Sequence, residues 1–185
     1  MSLSIKETEL PGVIIIESDL YPDHRGFFRE LYHKEKYSAA GLKSEFVQDN
    51  HSRSVKGVLR GLHYQLRNPQ GKLVTALSGE IFDVAVDIRA GSPNFGKWTG
   101  VHLSPQSSRQ IYIPPGFAHG FCVLSDTADV VYKCTGLYSP GDEHGLLWSD
   151  EGVNIDWPVS QPIVSEKDKA YLELKKIPAG LLPIY

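Results

Sequence analysis

Sulfur is scarce in this chain of 185 residues: two cysteines, Cys122 and Cys134, and one methionine. Two thiols are too few to staple a secreted scaffold. They fall in what read as two neighbouring strands, where they are expected to be buried and reduced rather than joined. No surplus of one charge exists either. Lys+Arg number 19 against 22 Asp+Glu, a net charge of −3. No basic run or stripe stands out, so nothing points to a nucleic-acid partner. No apolar stretch nears the ~20 residues that span a bilayer, and the longest near the start is only residues 13–16. The opening MSLSIKETEL has no charged segment followed by an apolar one, so it does not read as a signal peptide. The expected compartment is the cytosol, with no membrane partner.

Helical signal is thin as well. One short helix is expected over residues 34–40, ended by Gly41. A second is expected to open at Ser165, where SEKD has the form of a capping box ahead of KAYLELKK. What is plentiful is short β-type runs separated by Gly, Pro, Asn and Ser. They include GVIIIES (12–18), KLVTAL (72–77), EIFDVAVDI (80–88), RQIYIP (109–114), GFCVL (120–124) and ADVVYKCTGLY (128–138). In residues 80–88, Ile81, Asp83, Ala85 and Asp87 fall on one face and Phe82, Val84, Val86 and Ile88 on the other, the period of a half-buried strand. Many short, evenly spaced strands predict a sandwich or closed barrel rather than a parallel sheet. With 41% hydrophobic residues, no internal repeat and no linker, residues 1–185 read as one β-rich domain.

The stretch GVLRGLHYQ (57–65) poses the chemical question. Gly57, five residues, His63, one residue and Gln65 are followed by Lys72, six residues and Gly79, then by Pro114-x-Gly116-x-x-His119. The pattern resembles the two motifs of the cupin superfamily, which implies an all-β double-stranded β-helix, or jelly roll, with short terminal helical segments. In metal-binding cupins the first motif supplies His, His and Glu. Here Gln65 stands at the second His, and Lys72 at the Glu. A protonated lysine has three donors and no lone pair, and its charge repels a cation. Two histidines and an amide make a poor divalent-metal site. The expectation is no metal and no other cofactor, which leaves His63 free to move a proton or to pack.

FVQDNHS (46–52), VLRGLHYQ (58–65), QGKLV (70–74), PPGFAHGF (114–121), VVYKCT (130–135) and SEKD (165–168) together resemble the dTDP-4-dehydrorhamnose 3,5-epimerases over residues 12–169. Those enzymes act on dTDP-4-dehydro-6-deoxyglucose. The resemblance implies that His63 is the base, Asp168 orients it, Lys72 faces the developing enolate oxygen, and Tyr132 is the acid on the opposite face. Read without it, each has a plainer role: a structural histidine, a helix cap at Asp168, a solvated loop lysine, a core tyrosine.

For the substrate, the resemblance places Arg60 on the diphosphate. Odd spacing puts Arg60 and His63 on opposite faces of a strand unless Gly61 forms a bulge. Gln48, Asn50, His119, Glu143 and Lys167 carry over as substrate contacts. Arg25 and Glu30 carry over as nucleotide contacts, with Phe27 or Phe28 stacking on the base. In the family Arg25 and Glu30 reach the neighbouring subunit's site, which implies a homodimer. Tyr138, six residues after Tyr132, varies among relatives that perform one epimerisation, and its presence favours two. The alternatives are a C3- or C5-only epimerase or a ketoisomerase on a related sugar, a non-catalytic sugar-binding cupin, and a metal-dependent oxygenase. Residues 177–185 carry no recognised motif.

Overall fold

The computed structural model describes residues 2–185, and almost every long apolar run in it is a strand. In chain order these are β1 (Leu3–Glu7), β2 (Ile14–Ser18), β3 (Tyr21–Asp23) and β4 (Gly26–Phe28), then β5 (Gln48–Val55), β6 (Leu59–Gln65), β7 (Lys72–Ser78) and β8 (Ile81–Asp87). After them come β9 (Trp98–Leu103), β10 (Arg109–Ile113), β11 (Phe117–Val123), β12 (Thr127–Cys134) and β13 (Glu143–Gly145). Helix is confined to α1 (Lys34–Ala39), α2 (Glu166–Lys169) and a few single turns. No helix among the described residues is long and apolar enough to cross a membrane.

The strands form a six-stranded sheet, β1-β2-β10-β7-β12-β5, and a five-stranded sheet, β13-β6-β11-β8-β9, with β3-β4 as a separate hairpin. Neighbouring strands in both sheets run antiparallel. Inward-facing Val74, Ala76, Ile111, Ile113 and Val130 of the first sheet pack against Ile81, Ala85, Leu103, Phe117 and Phe121 of the second. This is the all-β jelly roll that the strand pattern and the cupin motifs imply.

Three local expectations need correction. The strand in residues 80–88 is buried on both faces. Ile81 and Ala85 join the core between the sheets, while Val84, Val86 and Ile88 join a second cluster with Val153, Leu174, Ile177 and Leu182. The C-terminal segment covers the outside of the five-stranded sheet, and each large aliphatic side chain buried there contributes roughly 1.5–3 kcal/mol. Asp83 and Asp87, both 0% exposed, are therefore interior groups that need partners. Asp87 accepts from Arg89 and Ser92.

The helix at Ser165 stops after one turn. Leu172 bridges to Leu146, and the Leu174 amide donates to Asp150 at 2.6 Å. These long-range partners outcompete a helix too short to persist by itself. Finally, Cys122 lies on β11 and Cys134 on β12, which belong to different sheets. Both are free and buried.

Residues 177–185 act as a strap. Ile184 bridges to Ala90, and Leu181 O accepts from the Tyr64 hydroxyl at 2.9 Å. Arg89 lies between the rings of Phe117 and Tyr185, at 4.4 and 4.8 Å from their centroids.

Candidate active site

A cavity of about 760 Å³ opens between the two sheets and is closed on one side by α2. That volume suits a ligand of several rings. The way β6 runs decides which side chains enter it. His63 lies opposite His119 on β11, and Arg60 lies opposite Phe121, so a three-residue step on β6 faces a two-residue step on β11. The extra residue is a bulge, and it turns both Arg60 and His63 toward the cavity. Gly61 makes it possible. Its φ is +124°, and a Cβ there would meet Gly120 Cα at 2.6 Å.

The same glycine anchors the next element. Its amide donates to Asp168 Oδ2 at 3.1 Å, and His63 Nε2 meets Asp168 Oδ1 at 2.7 Å. Ser165 caps α2 by accepting from the Asp168 amide at 3.1 Å. The capping box is thus only half made: Asp168 supplies its amide to the cap and turns its carboxylate to His63. Burial pushes that carboxyl up, but the donors from His63 and Gly61 more than offset this and hold it below the ordinary carboxylate range. With an Nε2–H donated to Asp168, Nδ1 keeps its lone pair. It stands 3.8 Å from Glu143 Oε1. The ring of Tyr171 packs edge-on against His63, 5.8 Å between centroids.

Lys72, at the start of β7, and Tyr132, on β12, line the cavity from the six-stranded sheet. Lys72 Nζ lies 6.0 Å from the Tyr132 ring centroid. Burial lowers the Lys72 pKa, against the pull of nearby Cys134, Asp83 and Glu143. Burial raises that of Tyr132. His119 is buried, and its Nε2 meets the Asp83 carboxylate at 3.0 and 3.1 Å. Burial lowers the His119 pKa, with Asp83 opposing.

Arg60 donates from Nε to Ser54 at 2.9 Å. Gln48 and Asn50 are linked at 2.9 Å along one face of β5. Tyr138 lies beyond the end of β12, so strand periodicity does not bring it to the cavity. A loop does, with the Tyr138 amide donating to Gln48 and its hydroxyl to Glu143 Oε2 at 2.7 Å. Lys167 donates to Glu143 Oε1 at 2.9 Å. Gln65 is committed elsewhere: its amide nitrogen donates to the carbonyls of Asn68 and Leu137, and its oxygen accepts from Ser139.

Arg25 and Glu30 are not part of this cavity. Arg25 pairs with Asp23 on the exposed β3-β4 hairpin, Glu30 pairs with Lys36, and Phe27 and Phe28 are exposed beside them. The sequence reading missed Asp83 and Tyr171. Asp83 could have been found as an acid set between Ile81 and Ala85 on the inward face of its strand. Tyr171 carried no signal, because its segment reads as helix.

A family model described as dTDP-4-dehydrorhamnose 3,5-epimerase matches residues 7–176. A dTDP-4-dehydrorhamnose 3,5-epimerase of Shigella flexneri is 57% identical over 168 residues, covering 90% of this chain and 93% of that protein. A dTDP-4-dehydrorhamnose 3-epimerase of Streptomyces niveus is 40% identical over 186 residues, covering 99% and 90%. Among solved structures, a dTDP-6-deoxy-D-glucose-3,5-epimerase from Legionella pneumophila in complex with dTDP-4-keto-L-rhamnose matches with a TM-score of 0.96. It is 52% identical and covers 100% of this chain and 99% of that one. The chain belongs to the dTDP-4-dehydrorhamnose 3,5-epimerase family.

Proposed function

We propose that this chain inverts C3 and C5 of dTDP-4-dehydro-6-deoxy-D-glucose, giving dTDP-4-dehydro-L-rhamnose. Both carbons flank the C4 ketone, so a proton lost from either leaves its electron pair delocalised onto the C4 oxygen as an enolate. His63 Nδ1 takes the proton, and Asp168 fixes the ring through Nε2 and stabilises its charged form. The Lys72 ammonium offsets the negative charge growing on the C4 oxygen. The Tyr132 phenol returns a proton on the opposite face. Its raised pKa makes it a weak acid, which suffices for a basic enolate carbon. Only protons move, so the chemistry calls for no electron carrier.

Arg60 holds the diphosphate through its guanidinium fork. Gln48, Asn50, His119, Tyr138, Glu143 and Lys167 contact the remainder of the substrate. The chain works as a homodimer, in which Arg25 and Glu30 of the hairpin serve the neighbouring cavity rather than their own. Their position outside the cavity and the exposed Phe27 and Phe28 support that reading.

The observation that carries the proposal is the 2.7 Å bond between His63 and Asp168 in a cavity also lined by Lys72 and Tyr132. Incubation with the dTDP-4-keto sugar in deuterated water tests it. Deuterium is expected at both C3 and C5, and His63→Ala abolishes it. Label at one carbon only restricts the activity to a single epimerisation, and no exchange by folded protein refutes it.

A further inference from the structure

Two inversions by one base raise a question of proton accounting. Each inversion places one proton on His63 Nδ1 and draws one from the Tyr132 hydroxyl. Before the second inversion, the N–H bond on Nδ1 must break, and its proton must leave a cavity that the substrate now fills. The Nε2 side offers no exit. Its hydrogen is donated to Asp168, whose side chain is 4% exposed and whose other oxygen accepts from Gly61. Tyr171 packs against the ring, and burial drives its phenol up to about 12, so it keeps its own proton.

The Nδ1 side is different. Among the described residues, Glu143 and Asp168 are the only carboxylates within 4.0 Å of the ring nitrogens. Glu143 Oε1 is 3.8 Å from Nδ1, one small ring movement or one water away. Glu143 itself is mostly covered, with its side chain 16% exposed. Its two partners reach solvent: the Lys167 side chain is 56% exposed, and Tyr138 is 50% exposed. One carboxylate therefore touches both the base and the bulk-facing edge of the cavity.

We propose that Glu143 carries the abstracted proton from His63 Nδ1 to water at the Tyr138–Lys167 edge, and so resets the base between the two inversions. In this step the Nδ1–H bond breaks and an Oε1–H bond forms. The Oε1–H bond then breaks to water, so His63 regains its lone pair and Glu143 its charge. The Tyr132 phenolate takes a proton from water in the same interval, which restores its O–H bond and leaves no net proton consumed. Burial pushes the Glu143 carboxyl up, but the Tyr138 and Lys167 donors hold it low, so it passes the proton on rather than storing it. The inference rests on the proposed epimerase reading and gives Glu143 a role in turnover beyond contacting substrate.

The test is Glu143→Gln followed through a single turnover in deuterated water, with NMR at both carbons and an imidazole buffer series. Exchange at the first carbon is the internal reference, because Glu143 also contacts substrate and its loss slows both steps. Exchange at the second carbon slows at least tenfold more than at the first, the singly inverted sugar accumulates, and imidazole restores the second step. Glu143→Ala, which leaves a carboxylate-sized gap, is expected to regain the second step with added formate. Equal slowing of both carbons without response to imidazole or formate overturns the relay, as does an unchanged rate. Failure of the parent protein to exchange at all refutes the epimerase reading instead.

Discussion

The His63 imidazole and the Asp168 carboxylate meet at 2.7 Å across 105 residues of chain, with α2 presenting the acid to the bulged strand. Asp168→Asn keeps the shape and removes the charge. A hydrogen bond to a charged group is worth about 1.5–3 kcal/mol, so kcat is expected to fall roughly 10- to 150-fold. Steady-state kinetics, with KM for the sugar nucleotide little changed, checks this.

The same bond makes stability depend on acid. The folded Asp168 pKa lies below its unfolded value of ~3.9. The folded state therefore binds fewer protons in the window between the two values, and stability falls as pH drops through it. Denaturant titrations across the acid range are expected to show a shallower decline for Asp168→Asn than for the parent, from a lower starting stability.

Lys72 carries the same sign in a different window. Burial lowers its pKa, so between the folded value and ~10.4 the unfolded chain holds the extra proton. Stability therefore rises with pH across that window. Lys72→Met removes the rise and melts higher than the parent at neutral pH, while losing about 10²–10³ in kcat with the oxyanion donor gone. Melts at neutral and alkaline pH, paired with activity, test both halves.

Gly61→Ala strikes the bulge. A φ of +124° costs a non-glycine residue about 1–3 kcal/mol. The added methyl must also displace the Gly120 backbone, 2.6 Å away. Loss of several degrees in Tm is expected, with activity falling further than stability alone explains because the Gly61 amide also anchors Asp168. Activity measured well below the melting range separates the two effects.

Much of this was legible beforehand because jelly-roll strands announce themselves by alternation and turn residues. The strands at residues 72–78 and 109–113 start where the apolar runs do. What escaped was long-range. The outer face of β8 is apolar because residues 153–182 fold back over it, and nothing within EIFDVAVDI reports a cover 70 to 100 residues away. Ser165 and Asp168 read as a cap because the cap is real, but only the folded chain shows where the carboxylate goes. Glu143 gave no local sign of standing between the base and solvent. Its neighbours Tyr138 and Lys167 come from a loop and a helix that meet only after the sheets have formed.

Asp168 also has a consequence in time. All thirteen strands among the described residues precede residue 146, whereas the acid that orients His63 follows it. At ~5–20 residues per second, synthesis places roughly 5–20 s between His63 and Asp168. Every strand of the barrel has been made before its base acquires a partner, so for those seconds the growing chain carries a histidine not yet held for its task.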